Sequence, residues 1–203
     1  LDIPTSFDSR SGELAALVHV DPSLGGFVRG AYYEGNQTLG SPLSTNWQRN
    51  VDFSAGVHKR FDSRWTFEAT VFHTDEHFWT ANTGTPEGAA RGTAEYVQNL
   101  HNTPVKDSGA SLTLSQGFSG VLRTVSGGID LRLIDGEDSA QIFDEAGTQI
   151  RVDVGRGKQR FVGAFLQAEF FPIDGLQVVA AVRQEWFRNY DGYDGNPGGL
   201  GNV

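Results

Sequence analysis

Eight stretches of the chain alternate apolar with polar residues, and the joints between them alternate between tight turn and longer loop. Val51-Asp52-Phe53-Ser54-Ala55-Gly56-Val57-His58 is the clearest stretch; after Phe61-Asp62-Ser63-Arg64 the pattern resumes in Trp65-Thr66-Phe67-Glu68-Ala69-Thr70-Val71. Strict period-two alternation gives strands with one apolar and one polar face. The pattern predicts strands over 13–20, 26–35, 47–60, 65–79, 94–118, 121–134, 158–171 and 176–189. Tight turns are expected around Pro22, Asp62, Gly120 and Asp174-Gly175, where Pro and Asp-Gly suit short hairpins. Loops are expected over 36–46, 80–91 and 135–156, with a Gly-rich tail from Tyr190.

By parity, one face carries Leu14, Val18, Phe53, Val57, Phe67, Val71, Leu112, Ile129, Leu131, Val162, Leu166, Val178 and Val182. The other carries Asp52, Glu68, Asp107, Asp130, Arg132, Gln167, Glu169, Arg183 and Glu185. Short turns at one end and long loops at the other, with such faces, are the signature of an outer-membrane wall. The expected fold is all-β: an antiparallel up-and-down transmembrane β-barrel segment of about eight strands, a meander with short periplasmic turns and long extracellular loops. Residues 1–203 form one partial barrel domain, and the nine polar-face residues line its channel. Aromatic residues gather near both ends (Trp65, Phe118, Phe170 and Phe171; Phe78, Trp79, Trp186, Phe187 and Tyr190), as interfacial girdles would. A β-sandwich or a soluble all-β binding module would also need one-sided strands, but neither requires every tight turn at one end.

Composition narrows the classes. No long apolar run exists, so a transmembrane helix is excluded, whereas membrane strands are half polar and escape hydropathy averages. Net charge is -9 with pI near 4.9, against a nucleic-acid partner. Cys is absent, removing disulfides and thiolate chemistry. Gly is high at 26 residues, several of them inside strands, where walls bend or large neighbours need room.

Chemistry-bearing motifs are few. His73, Asp75 and His77 share a strand face and are weak metal candidates. The Asp/Gly/Asn texture of 190–196 has the flavour of a calcium loop without its terminal Glu. Residues 135–156 read as an acidic loop. There is no Gly-x-Ser-x-Gly elbow and no phosphate-binding Gly-x-x-x-x-Gly-Lys, so neither catalysis nor a cofactor is expected.

The last third carries a resemblance. Gly127-Gly128-Ile129-Asp130-Leu131-Arg132, followed by Phe161-Val162-Gly163-Ala164-Phe165-Leu166-Gln167-Ala168-Glu169-Phe170-Phe171-Pro172, resembles the wall pattern AGxDxR … GxFxQDEWxP of TonB-dependent outer-membrane receptors. Leu176-Gln177-Val178-Val179-Ala180-Ala181-Val182-Arg183 is similar to the strand that follows it, LxLxAGxRxD. The resemblance implies energised uptake of a scarce nutrient (an iron chelate, a cobalamin or a glycan fragment), with outer-membrane lipid, a small-molecule or chelate ligand and the TonB complex as partners. That complex would act through a plug domain this stretch does not contain. Family barrels have about 22 strands, so a fragment is expected. A self-contained eight-stranded barrel with a structural or adhesive role is the alternative.

Overall fold

The computed structural model describes residues 5–62, 64–90 and 94–196. Of the expected segments, residues 1–4, Ser63 in the second turn, 91–93 in the second loop and the tail after Asn196 lie outside the described residues. Eight strands follow one another: β1 (Phe7–Asp21), β2 (Leu24–Thr38), β3 (Thr45–Arg60), β4 (Trp65–Gly84), β5 (Tyr96–Gly117), β6 (Leu122–Phe143), β7 (Gln149–Ile173) and β8 (Leu176–Gly195). Each pairs antiparallel with its sequence neighbour, giving one up-and-down sheet in the order β1 to β8. Among the described residues β1 and β8 do not pair with each other and are the two edges.

The sheet is a single layer. Among the described residues only Ala81 and Ala140 are buried apolar residues, while Leu14, Phe53, Ile129, Leu166 and Val182 stand exposed. A sandwich would have covered one face with a second sheet; none is present among the described residues.

Local chemistry explains the tight turns. Asp21 Oδ1 accepts hydrogen bonds from the Ser23 N–H and hydroxyl, at 2.7 and 2.6 Å. Asp62 Oδ1 accepts from the N–H groups of Arg64 and Trp65, at 2.7 and 2.9 Å. These two N–H bonds hold the Asp62 carboxyl below its ordinary pKa. Gly175, at φ 80°, closes the last hairpin in a conformation that side chains resist.

Every strand extends further than its apolar stretch. The expected acidic loop is mostly strand: β6 continues to Phe143, β7 starts at Gln149, and Asp144 caps the short connection through the N–H groups of Ala146 and Thr148. β8 likewise continues through the expected tail to Gly195. Long-range pairing supplies the ladder bonds there, as in Gly136 with Gly157, although the local residues are poor strand formers. The asymmetry between the two ends therefore lies in strands projecting beyond the apolar stretch more than in loop length.

The turns are staggered. One row of paired residues runs Leu24, Lys59, Phe67, Leu114, Gly127, Leu166, Val182. Leu24 adjoins its turn, Leu114 has residues 115–117 still to run, and Leu166 has 167–173. At ~3.3 Å per residue the slip is roughly 23 Å, across a width of about 29 Å at ~4.8 Å per strand. A plane through the four turns thus meets the strands at about 40° from its normal, within the range of barrel walls. The apolar stretch shifts the same way: Phe53 of β3 shares a row with Arg188 of β8.

Candidate functional site: the polar face

Directly paired residues in an antiparallel ladder project to the same side. The register carries Asp52 through Thr74 to Asp107, Glu68 through Thr113 and Gly128 to Phe165 and Arg183, and Asp130 through Gly163 to Glu185. Arg132, Gln167 and Glu169 fall on the same side. All nine polar-face residues therefore share one surface, here termed inner, and the apolar set occupies the other, here termed outward.

The inner side chains are cross-linked. Arg29 meets Glu13 at 2.9 Å, the Thr74 hydroxyl donates to Asp52 at 2.7 Å, and Arg132 grips Asp107 at 2.6 Å. Arg183 donates to both Asp130 oxygens at 2.8 and 2.9 Å, and to Glu185 at 2.9 Å. The Asp130–Arg183 pair reaches from β6 to β8 across the top of β7. Only Gly163 makes that possible, because a Cβ there would strike both the guanidinium and the carboxylate. Gln177 donates to Glu169 near the turns. Arg29, Arg132 and Arg183 are thus each committed to an acid, while Asp52, Glu68 and Glu76 have no basic group within 4 Å among the described residues. The inner face carries excess negative charge, which favours cations near it.

It is not wholly polar. Phe27, Phe72 and Phe165 lay their rings over the facing glycines Gly56, Gly109 and Gly128. The sequence reading did not foresee what these aromatics cover. The glycines inside strands were the available signal, but only the register shows which ring covers which glycine. Phe78 and Phe187, expected in the outer girdle, also fall on the inner parity; Trp79 is outward, paired with Trp47.

Towards the loop end the inner face has a concavity of about 640 Å³ floored by Gly136, Gly155, Gly157 and Gly192. With side chains missing from the floor, a partner can approach the backbone closely. Asp138 on its rim accepts from the Thr103 hydroxyl at 2.7 Å and lies 3.0 Å from His101 Nδ1. Gln159 and Asn189 add amide donors and acceptors. This region was expected to be loop, so its geometry could not be read from the sequence.

His73, Asp75 and His77 lie on the outward face and do not converge. His73 Nδ1 is 2.8 Å from Ser108 Oγ, His77 bonds Asn102, and Asp75 lies 3.8 Å from Arg49. Among the described residues no group of three ligands is assembled for a metal. Within 190–196, Tyr190 to Gly195 belong to β8, and Asp191 lies 3.7 Å from Lys158 rather than facing an oxygen cage. No family model, curated protein or solved structure matches the chain.

Proposed function

We propose that this chain is part of the wall of an outer-membrane receptor of the TonB-dependent kind, which takes up a scarce nutrient such as an iron chelate, a cobalamin or a glycan fragment. The observation that carries the membrane part is the single-layer sheet whose outward side chains are apolar and uncovered beside a line of tight turns leaning at barrel pitch. In water so many exposed Leu, Val, Ile and Phe side chains would drive association; in hydrocarbon they are solvated. The transport part rests on the wall patterns around Asp130 and Phe165. A second support is the acidic, cross-linked inner face with its glycine-floored concavity, which suits a channel lined for a polar occupant. That β1 and β8 do not pair with each other among the described residues favours a larger barrel over closure of these eight strands, since open strand edges in lipid cost several kcal/mol per group.

In this reading the segment performs no covalent chemistry. Its apolar face anchors the wall, its inner face lines the passage, and its projecting strand ends meet the ligand. Energy arrives from the inner membrane through a plug carried elsewhere. Fractionation of the source cells and uptake of labelled chelates test the proposal together. The protein should partition with the outer membrane, and deleting it should abolish one protonophore-sensitive uptake activity. Partition into the soluble fraction, or unchanged energised uptake across the nutrient classes, would overturn it.

A further inference from the structure

Each arginine in the central inner face is matched with a carboxylate. On the outward face two arginines without a carboxylate partner among the described residues stand directly opposite each other. Arg160 of β7 and Arg188 of β8 are direct cross-strand partners, both exposed. Side chains so placed have Cβ atoms about 5 Å apart, and like charges there are destabilising. Among the described residues neither guanidinium has a carboxylate within 4 Å. The nearby acids are already engaged: Asp135 and Asp191 lie 3.8 and 3.7 Å from the Lys158 ammonium. The remaining outward neighbours, Leu133 beside Arg160 on β6 and Trp186 and Tyr190 on β8, offer no negative charge.

The position of the pair gives its use. Immediately towards the tight turns the outward residues are Val162, Ala164 and Trp186, the upper part of the apolar stretch. Two cations thus sit where an apolar strip ends. Resting on the membrane reading above, we infer that Arg160 and Arg188 form a binding site for the phosphate of an anionic lipid headgroup, whose chains lie along Val162 and Trp186. Guanidinium forks match phosphate oxygens, and a shared phosphate turns the repulsion between the two arginines into a bridge. Lys158, one outward position further from the apolar strip, is held by its two acids and contributes only background charge.

The test uses the whole barrel in which these strands sit, reconstituted in phosphatidylcholine vesicles with or without phosphatidic acid. Protease protection establishes insertion, and native mass spectrometry then counts the lipid retained. Wild type should retain phosphatidic acid in preference to phosphatidylcholine. Arg160→Gln and Arg188→Gln should each lower its apparent affinity about ten-fold, and the double variant should show no preference. Inorganic phosphate at matching concentration should not displace the lipid; equal displacement would make the ligand a free anion and overturn the lipid assignment. In phosphatidylcholine alone Arg188→Gln should raise resistance to unfolding, because it removes repulsion, a change opposite to that of a merely structural residue. Insertion without lipid preference, or a double variant that retains phosphatidic acid like wild type, would refute the site while leaving the membrane reading intact. Failure to insert would overturn both.

Discussion

Gly127 and Gly128 are adjacent in β6 and project to opposite faces, so the same substitution at each probes the two surfaces separately. A Cβ added at Gly127 would find its nearest neighbours at 3.5 and 3.6 Å, ordinary contact with the Phe165 carbonyl oxygen and Leu166. A Cβ at Gly128 would overlap the Leu112 carbonyl oxygen and the Phe165 ring. The ring can swing away, but the carbonyl belongs to the neighbouring strand and moves only if the ladder deforms. Gly127→Ala should therefore be neutral or stabilising by a few tenths to about 1 kcal/mol, since Ala restricts the unfolded chain. Gly128→Ala should cost about 1–3 kcal/mol, the usual range for overpacking. Phe165→Ala should recover part of that cost when combined with Gly128→Ala, because half of the conflict is with the ring. The assay is reversible denaturant unfolding in lipid, followed by tryptophan fluorescence. Equal effects at the two glycines, or strict additivity of Gly128→Ala with Phe165→Ala, would refute the ring-over-glycine arrangement.

Other perturbations address the two faces and the turns. Leu112→Arg and Val178→Arg should each destabilise the inserted protein by ~2–4 kcal/mol, and Ser111→Arg much less, in the same unfolding assay. Arg183→Met and Asp130→Asn should each be mild, about 0.5–1 kcal/mol, because the pair is partly exposed; a double-mutant cycle should nevertheless show coupling across β7. Asp62 has a lowered pKa through the Arg64 and Trp65 N–H groups. Its contribution is present in full above the ordinary aspartate value and is lost as pH falls through the lower folded one. The difference in unfolding midpoint between wild type and Asp62→Ala should thus be flat near neutrality and shrink below about pH 4.

The eight strands and their two faces were legible because alternation is a local property. Val51 to Val71 states both the face and the turn without reference to any other strand. What was not legible depends on pairing. The extension of β6 and β7 through 135–156 is held by partners on neighbouring strands, against a local sequence rich in Gly and acids. Phe27, Phe72 and Phe165 find their glycines only once the register is fixed, and the Asp130–Arg183 pair joins residues far apart in the chain through the gap at Gly163. His73, Asp75 and His77 show the reverse: a shared face suggested a ligand set, but each group is turned to its own neighbour, and among the described residues no three ligands gather.

The absence of cysteine from the chain allows spin labels to be placed singly. Labels at Leu112, Ile129 and Leu166, alternating with labels at Ser111, Asp130 and Gln167, can be read in vesicles by collision with oxygen, which concentrates in hydrocarbon, and with a water-soluble nickel chelate. Oxygen should dominate at the first set and the chelate at the second, with the contrast reversing at each step along β5, β6 and β7. Chelate access at both sets, or shielding of Leu112, Ile129 and Leu166 from both reagents, would show that lipid does not solvate the outward face.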